Sequence, residues 1–148
     1  RPQEGRNSIS HNNVKALYYD ADKEIIWIGT HLGGLNKLDI RSGHFTHYRM
    51  EGNNPQSLPS DIIRDITPYK DLLIIATQNG VCLFNPANGQ CRQLFKDSKE
   101  GKSIKMVADV VFDSEGTLWI AATGEGVFSY RFDTVMMPPI RTASAIIT

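Results

Sequence analysis

Apolar and polar positions along this chain fall into short runs, and no stretch carries the 3.6-residue apolar period of an amphipathic helix. Residues 13–20, 26–30, 34–39 and 42–48 form four such runs, rich in β-branched and aromatic side chains. A second set follows at 63–66, 73–77, 80–85 and 88–94, and a third at 107–113, 118–123 and 126–130. Turn chemistry separates them, including Ser42-Gly43, Asp71, Asn88-Gly89 and Ser114-Glu115-Gly116. The run Ile25-Ile26-Trp27-Ile28 is almost continuously apolar, which predicts a strand covered on both faces. The fold class is therefore all-β.

These sets are internal repeats. Trp27, Ile74 and Trp119 occupy equivalent positions, 74 − 27 = 47 and 119 − 74 = 45 residues apart. A period in the mid-forties with four strands per unit is the arithmetic of β-propeller blades. The chain divides into a lead-in at 1–7, blade 1 at 8–56, blade 2 at 57–101, blade 3 at 102–134 and a tail at 135–148. Blade 3 is expected to lack its outer strand, because Pro138-Pro139 follows Tyr130 where a strand should form. Propellers close with about four to eight blades, so three four-stranded antiparallel repeats predict an incomplete ring. Its open faces call for further blades or a second protomer.

Composition narrows the partners. The 148 residues hold 16 basic and 16 acidic side chains, a formal net charge of zero, and 41% hydrophobic residues. That balance offers no electrostatic ground for nucleic acid or an anionic membrane surface as partner. The longest purely apolar run, Leu72 to Ala76, is far short of the roughly 20 residues that cross a bilayer. Arg1 to Asn7 lacks the apolar core of a secretory leader, so export requires a leader that is not in this sequence. Cys82 and Cys91 flank the Pro86–Gly89 turn and are either two small buried hydrophobes or a disulfide across that turn, depending on strand register.

The repeats also carry a family resemblance. Asn13-Val14, Leu17 and Asp20, then Ile26-Trp27-Ile28-Gly29-Thr30, Gly33-Gly34-Leu35-Asn36, Leu38-Asp39 and Ser42-Gly43, Phe45-Thr46 and Tyr48 resemble the two-component regulator propeller repeat. Ser57-Leu58-Pro59-Ser60-Asp61 and Asp113 to Trp119 fit the same pattern. Ile74 replaces the Trp in repeat two, and Ala121-Ala122 stands where Gly is usual in repeat three. The resemblance, over residues 8–134, implies the periplasmic sensor region of hybrid histidine kinases of Bacteroides-type bacteria. It implies propellers, usually two rings in tandem, that recognise oligosaccharides released from polysaccharides. The kinase, its membrane helix and its phosphorylatable histidine are not among these residues, so no catalytic activity and no cofactor is expected.

Other candidate chemistry gives way to turns and packing. Asp113-Ser114-Glu115-Gly116-Thr117-Leu118-Trp119 is one residue off the Asp-to-Gly spacing of a sialidase Asp-box and reads as a hairpin turn with its strand. No pair of carboxylates has the context of glycoside hydrolysis. Asp20 to Glu24 begins like a calcium loop, but Ile25 replaces the required Gly and His31 the final Glu, so no metal site is assigned. Gly29 to Gly34 lies between strands and lacks the helix of a phosphate loop. His44 and His47, three apart on one strand, point to opposite faces and cannot chelate together. Trp27, Trp119 and Tyr48 read as packing residues.

Ligand chemistry concentrates in the loops at one end of the blades. The connections from second to third strand contain Thr30-His31-Leu32-Gly33, Thr77-Gln78-Asn79 and Thr123-Gly124-Glu125, and those entering the first strands include His11-Asn12 and Asn53-Asn54. His11, Asn12, His31, Gln78, Asn79 and Glu125 are the candidate ligand-binding residues, able to hydrogen-bond sugar hydroxyls, with His31 and His11 suited to an acidic sugar when protonated. An oligosaccharide sensor is the leading functional class. A protein-interaction scaffold like WD-type propellers is the alternative, and a glycan-active enzyme working through a carboxylate such as Glu125 is a third.

Overall fold

The computed structural model describes residues 7–94, 104–132 and the backbone of 144–147. It contains twelve strands among the described residues and no helix. Blade 1 comprises β1 (Val14–Asp20), β2 (Ile25–Thr30), β3 (Leu35–Asp39) and β4 (His44–Tyr48). Blade 2 comprises β5 (Ile63–Tyr69), β6 (Leu72–Thr77), β7 (Gly80–Asn85) and β8 (Gln90–Gln93). Blade 3 comprises β9 (Val107–Phe112), β10 (Thr117–Ala122), β11 (Gly126–Arg131) and β12 (Ser144–Ile147). Each is a four-stranded antiparallel meander, and the three sheets do not close into a ring.

Two expectations change. Blade 3 does have an outer strand: β12 pairs with β11 through Phe128 opposite Ala145 and Ser129 opposite Ser144. The segment set apart as a tail thus supplies a strand, and the proline pair that argued against one precedes it by several residues. Residues 133–143, including Pro138-Pro139, lie outside the described residues. The first strand of blade 2 also runs past the expected Ile66 to Tyr69 and includes Pro68. Proline fits there because β5 is an edge strand of its sheet and needs no ladder donor on its open side.

Adjacent blades pack face to face. Between blades 1 and 2, Trp27, Leu35, Ile66, Ile75 and Phe84 are buried in one core. Phe84 meets the edges of Trp27 and Tyr48 at 5.4 and 5.0 Å between ring centroids, so Trp27 and Tyr48 are packing residues as expected. Between blades 2 and 3 the core is mostly aliphatic, with Ile74, Leu83, Val110 and Ile120, and Tyr69 stacks on Phe112 and Phe132 at one end. Ser57-Leu58 and Ser103-Ile104 precede blades 2 and 3 at matching positions, and Leu58 and Ile104 each plug one junction.

Cys82 and Cys91 are free, buried thiols on the blade 1 side of blade 2. Cys82 lies opposite Gln93 and Cys91 opposite Phe84, so the cysteines face the same way but sit diagonally. Diagonal neighbours exceed the span a disulfide comfortably bridges. A hydrogen bond with Cys91, reinforced by burial, holds the Cys82 thiol well above its ordinary pKa.

Candidate functional site

The turns between second and third strands lie at one end of the blades, and one hydrogen bond repeats in all three. The backbone N–H of His31 donates to Asn13 O at 2.8 Å, that of Gln78 to Ile62 O at 3.1 Å, and that of Thr123 to Met106 O at 2.7 Å. His31, Gln78 and Thr123 are therefore equivalent, which moves Thr123 one step from its expected match with Thr30 and Thr77. Thr30 and Thr77 are buried and donate their hydroxyls to Gly34 O and Gly80 O at 2.9 and 2.8 Å, whereas blade 3 has Ala122 at that place. Gly34, just before β3, and Gly80 and Gly126, the first residues of β7 and β11, have φ of +75°, +107° and +105°, a conformation other residues adopt at a cost.

A second bond ties the turns of blades 1 and 2 to the next blade. Gly34 N–H donates to Asp61 O at 2.9 Å, and Gly80 N–H donates to Lys105 O at 2.6 Å. His31 also forms a bridge with Ile62. The same end of the structure therefore carries turn residues of one blade beside the entrance of its neighbour. This is a rigid rim, built from backbone.

The candidate side chains are placed unevenly on it. Gln78 Oε1 accepts from the Arg64 guanidinium at 3.3 Å, and Asn79 Nδ2 donates to Pro59 O at 3.3 Å. Gln93 Nε2 donates to Asn79 O at 3.1 Å, so Gln78 and Asn79 form one polar group at the entrance to blade 2. The His31 Nδ1 atom is buried without a hydrogen-bond partner among the described residues. Glu125 Oε1 accepts Lys105 N–H at 3.0 Å, a bond that uses one of the two carboxylate oxygens and ties this turn to the entrance of blade 3. His11 turns its Nδ1 onto Asn13 N–H at 3.1 Å, and Asn12 lies beside it, exposed. Asn54 is engaged in its own turn, through Glu51 Oε2 at 3.0 Å and Gln56 N–H at 2.9 Å.

On the innermost strands, sequence reasoning missed a pair of carboxylates. A bulge in β5 and another break of register against β9 leave Asp65 and Asp109 at equivalent positions, each opposite an Ala of its second strand. Burial raises the Asp65 pKa, the Thr67 hydroxyl at 2.9 Å opposes that shift, and the Asp109 charge and hydrogen bond add to it. The signal was present in the repeat alignment, where Asp65 and Asp109 occupy the place of Ala16.

The remaining motifs are turns. Asp113 Oδ1 accepts Glu115 and Thr117 N–H at 2.9 and 3.0 Å, and Oδ2 accepts the Trp119 indole N–H at 2.9 Å. The indole bond and then the Thr117 amide hold the Asp113 carboxyl below its ordinary pKa. Asp20 Oδ1 accepts Lys23 N–H at 3.2 Å, and Glu24 pairs with Arg41, so the calcium-like segment is a closed turn. His47 donates to Ser8 O at 2.6 Å.

Comparison with known proteins agrees with this architecture. Residues 8–31 match the family model described as two component regulator propeller. The extracellular domain of a B. thetaiotaomicron protein described as a hybrid two component system superposes with a TM-score of 0.82 at 20% identity, over 99% of this chain and 20% of that one. A second B. thetaiotaomicron extracellular domain, described as that of a one component system, gives a TM-score of 0.67 at 23% identity over 88% of this chain and 16% of that one. The Dos1 propeller gives 0.60 at 15% identity over 94% and 35%. At such identities the likeness establishes the fold. The chain spans about a fifth of the length of the B. thetaiotaomicron domains. A search of curated proteins finds no match.

Proposed function

We propose that this chain, which carries the two component regulator propeller repeat, is part of an extracytoplasmic sensor propeller that recognises oligosaccharides and has no catalytic activity of its own. The observation that carries the reading is the repeat match at residues 8–31, whose far end is the turn bearing His31. The repeated backbone bonds at His31, Gln78 and Thr123 supply what such a site needs, a rigid rim from which short polar side chains project. His11, Asn12, His31, Gln78 and Asn79 are its proposed contacts, while Glu125 positions the entrance to blade 3. Periplasmic placement follows from the same reading, since both B. thetaiotaomicron relatives in fold are extracellular domains.

The open faces of blades 1 and 3 are proposed to take further blades or a second protomer. Leu17 and Tyr19 on blade 1 and Val111 on blade 3 are large exposed hydrophobics on those faces. A thermal-shift screen against neutral and acidic oligosaccharides tests the sensing reading. Stabilisation by one class of glycan, reduced by His31→Ala and Gln78→Ala together, is the expected result. Stabilisation by a protein partner with no glycan response moves the assignment to an interaction scaffold.

A further inference from the structure

The core between blades 2 and 3 is apolar, but where the innermost strands β5 and β9 lie side by side two carboxyl groups meet across the junction. The same backbone device places both. Arg64 and Ala108 are the extra residues at matching breaks of register, and each is followed by an aspartate set opposite an alanine, Asp65 by Ala76 and Asp109 by Ala121. Each carboxyl then takes the N–H of the next residue: Asp109 Oδ1 accepts Val110 N–H at 2.9 Å, and Asp65 accepts Ile66 N–H. The equivalent break in blade 1 is followed by Ala16, so the junction of blades 1 and 2 has no such pair.

The Asp65 and Asp109 side chains are hydrogen-bonded to each other. Ionised carboxylates are acceptors only, so that bond requires a proton on one of the two. Asp65 is the group that holds it, because its carboxyl is half-buried whereas Asp109 is exposed and keeps its solvation. The Thr67 hydroxyl, which donates to Asp65 Oδ2 at 2.9 Å, holds the Asp65 side chain in place. Of the strands packed against this pair, β2, β6 and β10 carry no ionisable side chain. β1 carries Lys15, Tyr18, Tyr19 and Asp20, and β5 itself carries Arg64, turned to Gln78, and Tyr69. Among all these charges only that of Asp109 acts on Asp65.

We propose that Asp65 and Asp109 form an acid-closed clasp between blades 2 and 3. With one proton between them, the carboxyls bond β5 to β9. Release of that proton to solvent leaves two like charges side by side, which push the innermost strands apart. Because the folded chain favours protonated Asp65, the contribution of the clasp is present in acid and is lost as the pH rises through the folded value. Acid surroundings therefore tighten this junction and neutral ones loosen it, whatever the rim binds.

Carboxyl-carbon NMR titration of the full chain, in wild type, Asp109→Asn and Asp109→Ala, tests the clasp. Asp65 should titrate above an exposed aspartate, with Asp109 responding in the same step, since the proton belongs to the pair. In both variants the Asp65 midpoint should fall towards the ordinary value, and Asp109→Ala shows that an amide is not standing in for the proton. Asp109 is exposed, so both variants should fold. Hydrogen exchange supplies the second readout. Once intrinsic rates are divided out, protection of the Ile66 and Val110 amides should fall severalfold from about pH 4 to about pH 7 in wild type and stay level in Asp109→Ala. The Trp27 amide, in the other junction, should show no such fall. An Asp65 midpoint unmoved by both substitutions overturns the clasp and leaves an isolated half-buried carboxyl. An equal loss of protection at Trp27 also overturns it, as an effect of pH on the whole fold.

Discussion

Blade 1 and blade 2 present the same face to the preceding side; on blade 2 that face is buried at Ile66, Leu73, Ile75 and Phe84, whereas on blade 1 Ile28 is buried and Leu17 is not. In register, Leu17 corresponds to Ile66, Ile28 to Ile75, Ile26 to Leu73 and Leu38 to Phe84. Ile66 is 6% exposed against blade 1, whereas Leu17 is 67% exposed with no blade beside it among the described residues. Ile9 precedes blade 1 at the place where Leu58 plugs the next junction, yet it is only half-buried. The difference teaches that alternation sets which residues point to a junction, while burial depends on a neighbour being present. Blade 3 repeats the lesson on its other side: Trp119 occupies the position of Trp27 but is half-buried, with no blade beside it among the described residues.

The sharpest break of this comparison is Trp27→Ala, which should cost about 3–5 kcal/mol in chemical denaturation because it empties the aromatic junction around Phe84. Ile66→Ala should cost about 2–5 kcal/mol by the same mechanism. Leu17→Ala, its equivalent, should stay within about 0.5 kcal/mol, as for an exposed side chain. If Leu17→Ala proves as costly as Ile66→Ala, then blade 1 is covered in solution, and light scattering after size exclusion at several concentrations should show a discrete multimer. Leu17→Lys should then return that multimer to protomers, since a charge in a packed junction is expensive.

A smaller effect is expected at Trp119→Ala, about 1 kcal/mol, from the lost indole bond to Asp113 and partial burial. The smallest concerns the inner strands. Because burial raises the Asp65 pKa in the fold, its protonated form contributes stability below the ordinary carboxylate pKa, and that contribution is lost as pH rises through the folded value. Asp65→Asn should therefore melt at a higher temperature than wild type at neutral pH, with the margin closing by about pH 4. A margin that grows on acidification would mean that Asp65 is held ionised, not desolvated.

Much of this architecture was legible as pattern. Eleven of the strands arise from runs that alternate around turn residues, and the spacing of Trp27, Ile74 and Trp119 identified the repeat. The twelfth was hidden because a proline pair broke the period, and pairing between β11 and β12 spans residues that no local rule connects. The candidate site was legible only as loop composition: residue types suggested His31, Gln78, Asn79 and Glu125, but not that Glu125 would accept the Lys105 N–H or that Asp65 and Asp109 would meet.

What the sequence by itself determined is the blade: strand length, turn position and the side of each sheet that is apolar, because all three follow from local sterics and a period of two. Tertiary structure alone decided which apolar faces are covered, that the two cysteines sit diagonally as free thiols, and that Asp65 and Asp109 meet between blades 2 and 3. Those outcomes depend on register and on the packing of distant segments, which local preference does not encode.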